Sequence, residues 1–363
     1  MGQIAMVIDL NKCIGCQTCT LACKTMWTSG KGQELMWWRK VNTMPGKGSP
    51  IDWEDLGGGF RRVGLILRRM NRKMGKKAIY SRIPVEREFG EFASLSIDRA
   101  VFSGDKLSSS PEKKVSWMFN WDEDRGSGVH PNSFFFYLPR LCNHCTHPAC
   151  LEACPRNAIY KREEDGVVLI NEEKCHGYRF CMEACPYKVI YFNLSGSIAG
   201  ETILTNSETG IAQKCIACFP RLEKGVAPAC ARSCPARAVH FGFLEDKNSS
   251  VYKLVKKWKV ALPLHPEFNT EPNVYYVPPL SSPKFDKDGR LTNEERIPID
   301  YLKSLFGPEV ERALKTLKEE REKMRKGIDS ELMRILIGFR WPDDFFGGFN
   351  KHPDDVFVLE VKK

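Results

Sequence analysis

The chain has 363 residues, 15 cysteines, 42% apolar residues and a formal net charge of +10. That length allows two or three domains with cores of their own, and no stretch approaches the roughly 18–20 apolar residues of a membrane span: Phe134–Leu138 and Leu332–Phe339 are far too short. An odd cysteine count, behind an N-terminus (Met1–Leu10) with no basic region ahead of an apolar run, argues against a disulfide scaffold and against an export signal, and makes metal ligation the expected use of the thiols.

In chain order, a short apolar strand, Ile4–Ile8, leads into the first cysteines. The stretch 24–140 has none, but holds Trp27, Trp37, Trp38, Trp53, Trp117 and Trp121 and a basic run, Arg61–Arg87, whose single acid is Glu86. This run reads as a solvated or partner-facing surface. Ala158–Tyr160 and Val167–Ile170, joined by a polar turn ending in Asp165-Gly166, form a hairpin signal. Val189–Phe192 and Ala238–Leu244 read as further strands. Beyond residue 246 the chain is again free of cysteine. Leu262–Pro283 is proline-rich and expected to be extended, Glu309–Lys326 to be an exposed charged helix, and Asp329–Phe339 an apolar one. Such a tail is expected to drape over another subunit.

The cysteines fall into four groups. Cys13, Cys16, Cys19 and Cys23 follow C-x2-C-x2-C-x3-C; Cys142, Cys145, Cys150 and Cys154 follow C-x2-C-x4-C-x3-C. Cys175, Cys181 and Cys185 follow C-x5-C-x3-C; Cys215, Cys218, Cys230 and Cys234 follow C-x2-C-x11-C-x3-C. Pro155, Pro186 and Pro235 each follow the last cysteine of a group, as in bacterial ferredoxins. Structural zinc sites use C-x2-C pairs separated by a longer spacer, and the first group, with three cysteines each separated by two residues and a fourth after three more, does not follow that pattern. His144, His147 and His176 lie inside the motifs and are expected to hydrogen-bond backbone, not to ligate. Iron-bound cysteines are thiolates; four clusters would add roughly −8, leaving the loaded protein only slightly basic and weakening a nucleic-acid reading of the charge.

In two-cluster ferredoxins each motif gives three ligands to one cluster and its last cysteine to the other. The adjacent second and third groups then form one unit, and the first and fourth another. The expected sets are Cys13, Cys16, Cys19 and Cys234; Cys23, Cys215, Cys218 and Cys230; Cys142, Cys145, Cys150 and Cys185; and Cys154, Cys175 and Cys181. In the last set Tyr178 stands where a fourth cysteine belongs. Three thiolates suit a [3Fe-4S] cluster, beside three [4Fe-4S] clusters. The alternative is a four-iron cluster with water or the Tyr178 oxygen on the odd iron. The expected fold is α+β, with two ferredoxin-like units related by a pseudo-two-fold: residues 1–23 plus 205–245, and 141–204. Residues 24–140 form an insertion packing on partner subunits, and 246–363 an extended and helical tail wrapping the catalytic subunit.

Cys13–Cys23, Leu35–Val41, Phe136–Tyr160, Lys161–Asn193, Lys214–Cys230 and Trp258–Leu280 together resemble the iron–sulfur β subunits of the respiratory nitrate reductase branch of the dimethyl sulfoxide reductase family. The resemblance covers most of the chain. It implies an electron-transfer subunit without substrate chemistry of its own, between a molybdopterin-bearing α subunit and a haem b-bearing γ subunit, with a dedicated assembly chaperone as a further partner. It also implies that the first–fourth unit faces molybdenum and that a three-iron cluster sits at Tyr178. The middle and tail are shorter than in the long bacterial nitrate reductase β subunits, so an ethylbenzene-type dehydrogenase or another oxyanion reductase is an alternative to nitrate. A free polyferredoxin, the reading from a different class, does not account for the insertion or the tail. The expected location is at the membrane through partners, on the cytoplasmic face or exported folded with a twin-arginine partner, with no nucleic acid bound and no span of its own.

Overall fold

The computed structural model describes residues 2–30, 32–33, 36–50, 52–59, 124–193 and 210–337. The basic run Arg61–Arg87 and the last residues of the apolar tail segment lie outside them.

Strand β1 (Ile4–Asp9) is buried along its whole length, as its unbroken apolar run requires of a strand covered on both faces. It is one of the two inner strands of a four-stranded sheet. Strand β8 (Val239–Phe243), which follows the fourth cysteine group, lies antiparallel to it with Ile4 opposite Phe243 and Ile8 opposite Val239. Strand β10 (Val274–Val277), from the tail, lies parallel with Met6 opposite Val274 and Asp9 opposite Val277; β9 (Leu262–Pro263) closes the edge. The proline-rich segment expected to be merely extended thus contributes two strands to the sheet that joins the two ends of the cysteine-bearing region.

Four two-stranded ribbons accompany this sheet among the described residues, one of them in the tail, where Pro283–Phe285 pairs antiparallel with Leu291–Glu295. Strands β2 (Lys40–Met44) and β3 (Phe136–Arg140) pair with Lys40 opposite Arg140 and bring together the flanks of the insertion. The expected hairpin forms as β4 (Ile159–Lys161) and β5 (Val168–Ile170). Its turn is held by the Val167 N–H donating to Asp165 Oδ1 at 3.0 Å. Strands β6 (Ile190–Asn193) and β7 (Ile211–Lys214) link the third group to the fourth.

The helices beside the cysteines pack in two pairs. Helix α1 (Thr18–Trp27), carrying Cys19 and Cys23, lies on the short helix Ala229–Arg232, which carries Cys230. The helix Ala149–Glu152, carrying Cys150, lies on Phe180–Ala184, which carries Cys181. Small residues (Ala149, Ala153, Ala184) line the second contact. In the tail, the helix Val310–Arg325 buries Val310, Ala313, Leu314 and Leu317, an i, i+3, i+4, i+7 stripe. Leu302 and Leu305 of the preceding helix, Ile299–Phe306, are fully buried in the same core as β1 and β10. No helix among the described residues is long and apolar enough to cross a membrane.

Candidate iron–sulfur centres

The four cysteine groups share a backbone device. The third residue of each C-x2-C unit is left-handed: Gly15 (φ 68°), His144 (φ 43°), Gly177 (φ 68°) and Ala217 (φ 53°). A left-handed non-glycine residue costs about 1–2 kcal/mol, so at His144 and Ala217 the surroundings impose a turn that glycine gives freely. At Gly15 a Cβ would meet the Tyr137 ring at 2.6 Å. In the third group the residue after this turn is Tyr178, the place held elsewhere by Cys16, Cys145 and Cys218. Its side chain is 53% exposed and its ring lies parallel to that of Phe180, 4° between planes and 6.3 Å between centroids.

A second device recurs after the last cysteine of three groups. Asn157, Lys188 and Arg237 are left-handed, each three residues past Cys154, Cys185 and Cys234. The turn aims the next N–H back at the sulfur: Ala158 at Cys154 (3.3 Å) and Ala238 at Cys234 (3.4 Å), with Val189 doing the same at Cys185. N–H donors of this kind stabilise a thiolate over a thiol. The first group departs from this pattern because Cys23 lies within helix α1 and Lys24 replaces the proline. There the fourth residue on, Trp27, donates its indole Nε1–H to Cys218 of the fourth group at 3.1 Å.

Neighbouring thiols show which cysteines the fold brings together. Burial pushes the Cys13 thiol up to about 11, with Cys19 and Cys234 adding to the rise. Burial and then Cys215, Cys230 and Cys218 hold Cys23 well above the thiol range. Cys145 is raised by burial, then by Cys142, Cys150 and Cys185. Cys181 is raised by burial, then by Cys150, Cys175, Cys154 and Cys185. Between sets, Cys230 senses Cys19 and Cys215 senses Cys142. The thiols therefore form a continuous row, from Cys13 through Cys23 and Cys142 to Cys154.

The donor chemistry suits iron–sulfide cages. Cys142, Cys145, Cys150 and Cys185, from two different groups, line one cavity together with Lys214 and Thr270. Among the described residues no three His, Cys, Asp or Glu side chains converge closely enough to grip one bare ion, whereas thiols spread around a cavity match a cage with iron at its corners. Burial raises the thiols of Cys13, Cys23, Cys145, Cys150, Cys181, Cys185, Cys215, Cys218 and Cys230, so as free thiols these stay protonated at neutral pH, and binding iron would release their protons.

The cationic lining was not foreseen from the sequence. Arg39, Lys40, Arg140, Lys188 and Lys214 are each at most 2% exposed. Burial opposes the Arg39 charge, but the Cys19 and Cys230 thiols more than offset that and raise it above the ordinary arginine value. Lys214 donates to the Val168 and Cys215 carbonyls and draws the Cys150 thiol down against burial. Lys188 donates to the Glu183 carbonyl at 2.7 Å and acts likewise on Cys185. Isolated buried cations are costly; anionic clusters are the partners that would offset them. The only hint in the sequence was the Arg39-Lys40 pair beside Trp37 and Trp38, and a basic dipeptide ordinarily reads as surface.

His144 behaves as expected. Its Nδ1 accepts the Val168 N–H at 3.1 Å, which places the proton on Nε2, and burial holds the ring well below its usual pKa. His147 faces Glu271 at 3.5 Å on the surface, its own N–H donating to the Thr270 carbonyl; His176 is exposed.

Residues 133–244 match the model of a 4Fe-4S dicluster domain, and residues 4–25 that of a 4Fe-4S binding domain. The chain is 48% identical to the selenate reductase subunit beta of Thauera selenatis over 94% of its own length and 98% of the relative's. It is an iron–sulfur β subunit of the respiratory nitrate reductase branch. Within that family it is 49% identical to the chlorate reductase subunit beta of Ideonella dechloratans, again over 94% and 98% of the two chains. It is 47% identical to the respiratory nitrate reductase subunit beta of Haloferax mediterranei, over 92% and 90%. Relatives named for three different oxyanions are thus similar to nearly the same degree, and the comparison singles out none of those substrates.

Proposed function

We propose that this subunit relays electrons through four clusters between a molybdopterin-bearing catalytic subunit and a haem b-bearing subunit, in a nitrate reductase-like complex. The observation that carries this reading is the continuous row of thiol sets. In the assignment, [4Fe-4S] clusters bind to Cys13, Cys16, Cys19 and Cys234; to Cys23, Cys215, Cys218 and Cys230; and to Cys142, Cys145, Cys150 and Cys185. A [3Fe-4S] cluster binds to Cys154, Cys175 and Cys181. The left-handed turn that delivers Tyr178 in place of a cysteine favours the three-iron form at the last site. When bound, these clusters supply one-electron transfer without protons or substrate bonds. The chain itself holds them in order, keeps water from most of the thiols and offsets their charge with buried cations.

In this reading residues 1–23 plus 205–245 and residues 141–204 are two ferredoxin-like units related by a pseudo-two-fold. The matched helix pairs, Thr18–Trp27 on Ala229–Arg232 and Ala149–Glu152 on Phe180–Ala184, support that symmetry. The exposed Cys16, with Ile14, Leu21 and Met26 also exposed around it, suits the face toward molybdenum. Tyr178 marks the opposite end, toward haem. The insertion 24–140 packs on partners, and the outer side of 246–363 wraps the catalytic subunit. A dedicated chaperone assists loading, and attachment to the membrane is through partners. Other oxyanions, or an ethylbenzene-type hydrocarbon, are alternatives to nitrate, as the near-equal similarity to differently named relatives leads one to expect.

The test is isolation of the native complex under anaerobic conditions, with metal analysis and EPR. Molybdenum, haem and iron for three four-iron clusters and one three-iron cluster are expected in one assembly. A preparation without a molybdopterin-bearing partner, or a colourless iron-free chain, would overturn the proposal. Protease access to the complex in spheroplasts separates the cytoplasmic face from the exported one.

A further inference from the structure

Arg39 lies in the bend that leads into Lys40, the first residue of β2, and the two side chains reach different cysteine sets. Lys40 donates Nζ–H to the Tyr191 hydroxyl at 3.0 Å and lies in electrostatic reach of Cys185, on the side of the second–third unit. Arg39 goes the other way, among Cys13, Cys19, Cys23 and Cys230, which the assignment above divides between the first two clusters. It is 1% exposed. Its Nη1 reaches Met6 Sδ of β1 at 3.7 Å, while Nε and Nη2 meet no hydrogen-bond partner and the group makes no ion pair among the described residues.

Arg140, across the ribbon, is the contrasting case. Its guanidinium donates to Asn42 Oδ1 (3.1 Å), the Ser49 carbonyl (3.1 Å) and the Tyr187 carbonyl (2.6 Å) and stacks on the Trp53 ring at 3.4 Å. Those contacts pin chain segments together. Arg39's ties run instead to sulfur, the Met6 thioether and the Cys19 thiol. A fully buried guanidinium with open donors among thiols of two sites is oriented toward what those thiols hold.

We propose that Arg39 is a potential-setting residue shared by the first two clusters, its fixed positive charge favouring the reduced state of both and smoothing the electron's passage between them. Each reduction adds one electron to a cluster; Arg39 takes up no proton and keeps its charge throughout. The electron arrives from, and leaves to, the neighbouring redox centre, so nothing else is consumed. A unit charge buried at contact range changes a one-electron equilibrium by at least tenfold, or ~59 mV. The adjacent Lys40 lies on the side of the other unit, where burial and Arg140 hold its pKa well below the ordinary lysine value and Cys185 opposes them, so one dipeptide places a basic side chain on each side of the ribbon.

This inference rests on the cluster assignment, and EPR-monitored redox titration of the intact complex keeps the two apart. If the wild-type complex lacks clusters at these sites, the assignment fails. If the clusters are present, Arg39→Met should lower the midpoint potentials of the first two by at least tenfold in the reduction equilibrium, leaving the Cys142 and Cys154 clusters within measurement scatter. Arg39→Lys should fall between, and Lys40→Met should move the Cys142 cluster instead. Unchanged potentials in Arg39→Met with full iron content, or an equal shift of all four clusters, would overturn the inference. Should Arg39→Met lose iron, Arg39→Gln is titrated in its place. Loss of the first two clusters from both uncharged variants, with Lys retaining them at wild-type potential, would also overturn it, because the charge would then be required for loading alone.

Discussion

The two halves of this subunit reach the same local geometry by different routes. The second and third cysteine groups lie close in sequence, and their helices meet through small alanines within 142–193. The first and fourth lie almost two hundred residues apart and are joined by a sheet in which β8 flanks β1 on one side and a strand of the tail flanks it on the other. Where contacts are local, spacing alone brings the thiols together. Where they are distant, loop-closure entropy is added, and a buried, fully paired strand must offset it. The split half should therefore depend more on the sheet and the contiguous half more on its own motif.

The sharpest test of this comparison is to remove one thiol from each end of the split half. Cys13→Ser and Cys234→Ser are expected to abolish the same cluster in EPR and iron analysis, despite their separation in sequence. Loss of different clusters would break the pairing. Next in size is Tyr178→Cys, which restores the fourth thiol at the left-handed turn. It should convert the proposed three-iron centre to a four-iron one, removing the three-iron EPR signal expected of the oxidised protein and adding one iron per chain. Persistence of that signal with unchanged iron would show that Tyr178 does not occupy the missing ligand's place.

A cavity in the joining sheet gives a smaller, graded effect. Ile8, fully buried in β1, replaced by alanine should cost about 2–5 kcal/mol and speed loss of the Cys13 and Cys23 clusters on warming. Ile159→Ala, in the local hairpin, should instead loosen the Cys142 and Cys154 clusters. Absorbance bleaching with cluster-resolved EPR separates the two, and uniform bleaching in both variants would mean that the halves do not respond separately. The smallest effect concerns the tail's attachment. Burial opposes the charge on His265, but Glu267 and Glu54, at 3.0 and 3.4 Å, hold its pKa above the ordinary value near 6.5. A raised folded-state pKa means that this stabilisation is complete below about pH 6.5 and fades as pH rises through the folded value. The thermal midpoint of wild type relative to His265→Gln should therefore shrink toward alkaline pH. An advantage growing with pH would contradict the assignment.

Much of the site could be read directly because ligand chemistry is local. Cysteines two or three residues apart can reach one cage whatever surrounds them, and Gly15 and Gly177 announce their left-handed turns. His144 and Ala217 do not, since neither residue type favours that conformation and only the surroundings impose it. The hairpin Ile159–Ile170 and the charged helix Val310–Arg325 were visible through turn chemistry and periodicity. The pairing of Val274–Val277 with β1 was not, because no local pattern specifies a partner nearly 270 residues away.

By itself the sequence determined the number and type of thiol groups, the odd place of Tyr178 and the kind of cofactor, since these follow from which atoms stand a few residues apart. Tertiary structure alone decided that the tail completes the sheet joining the first and fourth groups, and that Arg39, Lys40 and Lys214 lie inside among the thiols. Burial of a cation depends on a compensating anion assembled from distant segments, and that neighbourhood exists only once the chain has folded.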